Sequence, residues 1–242
     1  MMYVICFYWQ GDRWNSNVIS DLPDDFHYRT LLRRIGAIDL TLASKYVNNL
    51  FKGVTKYASK KFKFICFTNE KLDLETGIEM RSFPLVTKKG VLPRLYMFSK
   101  ESGLWGKQVL ALDLDLIIVN SLKPFMDYTG RLCVCKSRGD LIDGNVISFK
   151  AGERMTRIIW DSFISDVKGA EKITIGRERK WLQKVAQDFG DVWTNVAPNT
   201  IVRIQDCPRK CSQIKMNIIS CNGSNRPHLQ IKRYPWLKEY WE

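Results

Sequence analysis

The stretch Val109-Leu110-Ala111-Leu112-Asp113-Leu114-Asp115-Leu116-Ile117-Ile118-Val119 decides how this chain is read. Two carboxylates interrupt an otherwise apolar run. In a strand, residues two apart point to the same side, roughly 6.5–7 Å apart at Cα. The spacing therefore predicts that Asp113 and Asp115 converge while Leu114 faces the other way. Desolvating two like charges against a greasy sheet costs on the order of several kcal/mol per ion, even after relaxation. A divalent cation relieves that cost, because Mg²⁺ or Mn²⁺ prefers carboxylate oxygens and leaves positions open for phosphates. The plainer reading is a strand end emerging into solvent, since D-x-D alone is common. The apolar residues on both sides argue against it.

Working outward, Tyr3 to Trp9 is a short apolar run that reads as a buried strand, ended by Gly11-Asp12. Residues 21–38, with Pro23, read as a charged loop with room for one short helix. From Leu40 to Ala58 the spacing is helical, with Tyr46, Val47, Leu50, Phe51, Val54 and Tyr57 on one face. Phe62 to Phe67 is a second buried strand, ended by Thr68-Asn69. Strand, helix, strand predicts a βαβ unit and an α/β fold with a parallel sheet. Its ligand site would lie beyond the carboxyl ends of the strands, near Trp9–Asp12 and Thr68-Asn69. Further along, Pro93 to Lys100 reads as a short helix and Gln108 to Val119 as one continuous strand. Arg131 to Cys135 and Asn145 to Phe149 are further strands. Glu153 to Val167 and Glu178 to Phe189 are amphipathic helices. After Asp191 the chain is loop-rich, with short strands near Ile201 and Ile218.

The 242 residues are 45% hydrophobic and 26% charged, which fits one globular α/β domain with a core and excludes wholesale disorder. The formal charge of +13 draws polyanions: nucleic acid, an anionic membrane surface or phosphate-bearing substrates. Cys6, Cys66, Cys133 and Cys135 lie in apolar runs and no CxxC pair occurs, so buried reduced thiols are expected. The opening MMYVICFYWQGD lacks the basic leader of a signal peptide. No run reaches the ~18 apolar residues that span a bilayer. The expectation is a soluble cytoplasmic protein, with peripheral contact at an anionic membrane left open.

The wider context of the D-x-D resembles the donor-binding core of GT-A glycosyltransferases, most of all the glycogenin and bacterial galactosyltransferase type known as family eight. Pro93-Arg94-Leu95-Tyr96, Gly106-Lys107-Gln108-Val109-Leu110, Asp113-Leu114-Asp115 and Asn120-Ser121-Leu122 follow one another as in that family. Tyr46-Val47-Asn48-Asn49-Leu50 and Phe64 to Asn69 are similar to its first helix and "f-T-D" strand end. Asp143-Gly144-Asn145-Val146 is similar to its sugar-pocket segment, and Glu178-Arg179-Lys180-Trp181-Leu182 to its "D-Q-x-W-L" helix start. Asn222-Gly223-Ser224-Asn225-Arg226-Pro227-His228 is similar to its C-terminal "H-G-x-x-K-P" segment.

The resemblance implies a GT-A, Rossmann-like fold with a mixed, mainly parallel sheet flanked by helices. Residues 1–242 would form one domain, with a nucleotide-binding half over 1–120 and an acceptor and sugar half over 121–242. It implies Mn²⁺ or Mg²⁺ on Asp113 and Asp115. Donor-binding residues would be Trp9, Thr68, Asn69, Arg94, Asp113, Leu114, Asp115, Asn145, Gly223 and Arg226. Glu178 or Asp143 would stabilise the positive charge that develops on the sugar. The activity implied is retaining transfer of a hexose from a nucleotide-diphosphate sugar, UDP-linked in most of the family, to a glycan or other hydroxyl acceptor.

Three residues depart from the family pattern. Asn222 stands where relatives place a metal-binding His; an amide oxygen is a weaker ligand, and His228 is the substitute at hand. Glu178-Arg179 replaces the Asp-Gln pair. Asn69 replaces the Asp of "f-T-D". Two other readings compete. The basic and aromatic tail of Arg226, Lys232, Arg233, Tyr234 and Trp236 would suit a nucleic-acid-binding module. The departures would suit a protein that binds a sugar nucleotide without turning it over. The glycosyltransferase reading expects no nucleic-acid partner.

Overall fold

The computed structural model describes residues 1–10, 39–136, 142–186, 190–209, 215–222 and 225–241. The readings for Gly11-Asp12, for 21–38 and for Gly223 fall outside these residues.

Strand β1 (Met2–Tyr8) leads to helix α1 (Leu40–Tyr57) and strand β2 (Phe62–Thr68). The βαβ unit forms as expected, because both strands are continuous apolar runs that must be covered on both faces. β1 and β2 pair in parallel, Tyr8 level with Thr68. Asp39 caps α1, accepting from the Leu42 amide at 2.7 Å. Of the predicted inner face, Tyr46, Val47, Leu50 and Val54 are buried, and Phe51 and Tyr57 partly so.

A short edge strand, β3 (Ile78–Arg81), joins β2 in parallel. Then Leu92–Phe98 winds as a 3₁₀ helix, entirely buried. The main sheet continues with β4 (Gln108–Leu112), β6 (Leu132–Lys136), β7 (Ile142–Lys150) and β8 (Asp191–Val192). Among the described residues its seven strands run in the order β3-β2-β1-β4-β7-β6-β8, with β7 alone antiparallel to its neighbours. Helices α2 (Lys123–Met126), α3 (Arg154–Ser165), α4 (Val167–Thr174) and α5 (Glu178–Ala186) complete the middle of the chain. The sheet is mixed and mainly parallel, flanked by helices.

One expectation fails where it matters. Gln108 to Val119 is not a single strand. It divides into β4 and β5 (Leu116–Ile118), with Asp113-Leu114-Asp115 in the turn between them. β5 leaves the main sheet for a three-stranded one, antiparallel to β10 (Ile218–Ser220), which pairs in parallel with β9 (Ile201–Arg203). The apolar run continues through the break because each half is buried, β4 in the main sheet and β5 beneath α1.

The period of two is visible in the core. Ile5, Phe7, Ile65 and Phe67 pack on the face covered by the 3₁₀ helix, α3 and α5. Val4, Cys6, Phe64 and Cys66 pack on the face covered by α1. A third cluster, with Tyr46, Ile117, Ile219, Tyr234, Leu237 and Trp241, lies under the small sheet. The four predicted thiols are buried and unbridged, as are Cys207 and Cys221.

Candidate active site

The carboxyl ends of β1, β2 and β4 lie along one edge of the main sheet. There the backbone must turn, and β4 turns at the D-x-D. The Asp113 amide donates to the Asn145 carbonyl on β7 at 2.9 Å. The Cys221 amide, just past β10, donates to the Asp115 carbonyl at 3.0 Å. The turn is thus pinned to both sheets. The turn, and not strand alternation, sets the two carboxylates near enough for Asp115 to raise the pKa of Asp113.

Each carboxylate meets an arginine from a distant part of the chain. Arg94, on the 3₁₀ helix, places Nη1 at 2.7 Å from Asp113 Oδ1 and 3.1 Å from Glu178 Oε2, and Nη2 donates to the Gly144 carbonyl at 3.1 Å. Arg226 places Nη1 at 2.6 Å from Asp115 Oδ2. Arg94, Asp115, Glu178 and Arg226 are all buried. Burial pulls the Arg94 guanidinium toward losing its proton, but Asp113 and Glu178 outweigh that and hold its pKa above the ordinary value. Arg94 therefore braces the D-x-D to the start of α5. A Cβ on Gly144 would come within 3.3 Å of Glu178 Oε2, so the glycine is what lets Glu178 approach β7.

The acids outnumber the bases. Asp113, Asp115, Asp143 and Glu178 share the region with Arg94, Arg179 and Arg226. Burial, together with the carboxylates of Asp115, Glu178 and Asp143, pushes the Asp113 carboxyl up to about 7 against the pull of Arg94. Burial likewise raises the Asp143 carboxyl, opposed first by Arg179. The side chain of Asp113 keeps 33% of its surface open, so the surplus negative charge reaches solvent there.

These residues fit a hard dication. Asp115 Oδ1 and Asn145 Oδ1 are buried oxygens without a hydrogen-bond partner among the described residues. Such atoms are costly unless a cation or a donor meets them. Among the described residues no cluster of three His, Cys, Asp or Glu side chains is assembled. The third protein ligand would be an amide oxygen; the sequence candidate, Asn222, is half-buried one residue beyond Cys221, whose amide donates to the Asp115 carbonyl.

Other predicted residues fall elsewhere. The Tyr46 hydroxyl and His228 Nδ1 are hydrogen-bonded at 2.7 Å, and burial lowers the pKa of the imidazole. His228 thus ties α1 to the C-terminal segment. The Asn69 amide donates to the Phe83 carbonyl and accepts from the Phe83 amide, at 2.8 and 3.0 Å, which accounts for both its polar atoms. Thr68 is buried at the end of β2 and accepts from the Glu70 amide. Trp9 is buried at the end of β1 against Phe83. Leu114, in the turn, packs partly buried beside both the α1 core and the small-sheet core. Sequence reasoning missed Ser220, whose hydroxyl accepts from the Asn145 amide at 3.1 Å, and the bracing use of the Gly144 carbonyl. Nothing in the sequence signals either.

The same overall fold occurs in solved structures. The chain has the fold of the galactosyltransferase LgtC. It aligns with LgtC in complex with donor and acceptor sugar analogs at a TM-score of 0.59 and 10% identity, covering 98% of this chain and 95% of that one. An active-site Gln-to-Glu mutant of LgtC aligns at 0.61 and 11%, over the same shares. The glycosyltransferase GlyE of Streptococcus pneumoniae TIGR4 aligns at 0.59 and 14%, covering 98% of this chain and 59% of that one. No family model matches the sequence, and no curated protein matches it. At such identities the likeness to LgtC is one of fold, the GT-A fold. Among the described residues, no helix of this LgtC-like fold is long and apolar enough to cross a membrane.

Proposed function

We propose that the chain is a metal-dependent glycosyltransferase, moving a hexose from a UDP-linked or other nucleotide-diphosphate donor to a glycan or other hydroxyl acceptor. The observation that carries this is the D-x-D turn: two carboxylates at the carboxyl edge of a mainly parallel sheet, with an excess of acid and a buried carboxylate oxygen left unsatisfied. The fold it shares with LgtC, crystallised with donor and acceptor sugar analogs, supports the same reading.

Asp113 and Asp115, with the Asn222 amide, are the residues that would hold Mn²⁺ or Mg²⁺. Bound there, the dication acts as a Lewis acid that offsets the charge developing on the departing diphosphate. Arg226, buried against Asp115, adds a guanidinium to the same side. Arg94 fixes Asp113 and Glu178 relative to one another. Glu178 and Asp143 supply the negative charge that stabilises a sugar ring as its bond to the diphosphate lengthens. Asn145 lines the same wall. The first half of the chain carries the nucleotide end of this cleft, and the half after residue 120 supplies Asp143, Glu178 and Arg226. Retention of the anomeric configuration follows from the family resemblance.

Titration with UDP- and GDP-hexoses, with and without Mn²⁺, tests binding, and single-turnover donor hydrolysis tests chemistry. Asp113→Asn and Asp115→Asn should each lower metal-dependent turnover at least about a hundredfold. Asp113→Asn should melt near wild type, because Arg94 keeps Glu178, whereas Asp115→Asn should melt lower, because it leaves the buried Arg226 without its counter-charge. Turnover in both variants equal to wild type would refute the assignment. Metal-dependent binding without any turnover in the wild type would instead identify a sugar-nucleotide-binding protein.

A further inference from the structure

We propose that the rim of this cleft formed by residues 86–91 and the end of α4 is a docking face for an anionic lipid surface. Two exposed isoleucines mark it. Ile173 and Ile175 are 49% and 56% exposed, and Val86, on the adjoining segment, is 38% exposed. Ile175 is also the C-cap of α4, with φ of +51° in the left-handed region. That conformation favours Gly or Asn and strains a β-branched side chain. The fold thus holds an apolar residue at a position where both its backbone and its exposure disfavour it.

The two segments form one unit. The Val91 amide donates to the Gly176 carbonyl at 2.8 Å, and the Thr87 hydroxyl donates to Glu171. Gly90 and Gly176 pack backbone to backbone, so closely that a Cβ on Gly90 would lie 2.2 Å from the Gly176 oxygen. Around the apolar residues stand Lys88, Lys89, Lys172, Arg177 and Lys180, all exposed or half-buried. No salt bridge among the described residues engages any of the four lysines. The acids nearby are Glu171, held by Thr87, and Glu178, buried on Arg94. Exposed aliphatic side chains within a cluster of unpaired lysines match a surface of acyl chains and anionic headgroups. A purely polar polyanion would leave the isoleucines unused.

The face also sits where it would serve the reaction. Arg94 follows Val91 by three residues, and Glu178 follows Gly176 by two. A membrane seated here would lie beside the two segments that lead into Arg94 and Glu178. The binding claim itself does not rest on the proposed activity.

Sedimentation with vesicles tests it, comparing phosphatidylcholine alone with phosphatidylcholine containing roughly one third phosphatidylglycerol, at about 0.15 M salt. The wild type should partition onto the anionic vesicles and not onto the neutral ones. Ile173→Ser with Ile175→Asn, the asparagine tolerating the left-handed backbone, should lower that partitioning roughly tenfold. Lys88→Glu with Lys89→Glu should do the same. A control with the same charge change at the opposite edge of the sheet, Lys61→Glu with Lys107→Glu, should stay within about twofold of wild type. Val86→Ser provides a second apolar variant should the double one melt early. Equal loss in the opposite-edge control, no loss in the apolar variants, or equal binding to both vesicle types would overturn the proposal. Donor titration of the same variants reads the active-site assignment separately, because it should remain at the wild-type value.

Discussion

Asp115 is the residue on which the site turns. One of its oxygens is held by Arg226 at 2.6 Å, and the other, shut off from water, has no hydrogen-bond partner among the described residues. Removing one member of such a buried pair leaves an uncompensated charge and costs about 3–5 kcal/mol. Arg226→Met should therefore lower the melting temperature by roughly 6–20 °C for a chain of this size. Millimolar Mn²⁺ should recover part of that loss, since a cation binding only the folded state stabilises it by mass action. Differential scanning fluorimetry with and without Mn²⁺ reads both effects. A variant that melts like wild type and ignores the metal would mean that Asp115 is not the anionic centre described above. The sequence put forward all five residues that meet here, Asp113 and Asp115 from their spacing in an apolar run, and Arg94, Glu178 and Arg226 through the family resemblance. Their pairings were not, because Arg94 and Glu178 lie 84 positions apart and Arg226 and Asp115 lie 111 apart. Nor was the use of Asn69 and His228 as structural ties, since an amide or imidazole that binds a neighbour looks in sequence like one that binds a ligand.

At the scale of elements, the continuous apolar runs of β1 and β2 and the helical stripe of α1 specified the βαβ unit unambiguously, because burial on both faces leaves a continuous signature. The break in Gln108 to Val119 left no such mark. Leu116–Ile118 is as apolar as Gln108–Leu112, and hydropathy cannot say which sheet a buried residue joins. Helix α4 was missed for another reason: Gly169 and four charged or polar residues dilute its stripe, and its start is fixed by the Asp166 carboxylate accepting from the Gly169 amide at 2.9 Å. The 3₁₀ helix and α4 meet through the contact of Gly90 with Gly176, and that contact sets the height of Arg94 against Glu178. Gly90 has φ of +54°, so Gly90→Ala both strains the backbone and drives a methyl into the Gly176 carbonyl. A cost of about 2 kcal/mol or more is expected, with a larger fractional loss in turnover than in donor affinity, because the displaced carboxylate would face the sugar and not the nucleotide. Steady-state kinetics beside a denaturant melt would check it; unchanged kinetics in a destabilised variant would show that the contact only supports the fold.

Across the whole molecule, the D-x-D turn is flanked by a segment remote in sequence from the sheet it completes. β10 pairs with β5 just beyond the D-x-D, and the chain then supplies Asn222 and Arg226 before folding back over α1. That return is fastened by His228 on Tyr46, by the Asn49 amide donating to the Trp241 carbonyl at 3.0 Å, and by Trp241 stacked edge-on against Tyr46 at 4.6 Å. Trp241 is 1% exposed although it lies next to the last residue. Its packing therefore reports whether the C-terminal segment is seated. Trp241→Ala should cost about 3–5 kcal/mol through the cavity it leaves. If the segment acts as a clasp for the site, the variant should also bind Mn²⁺ and donor more weakly, even at temperatures where circular dichroism shows the main sheet intact. Because neither Asp113 nor Asp115 touches Trp241, loosening of Arg226 and Asn222 is the route by which metal affinity would fall. Titration calorimetry on the folded variant decides the matter. Wild-type affinity for both ligands would reduce the C-terminal turn to a stabilising cover and leave the D-x-D turn able to assemble its site alone.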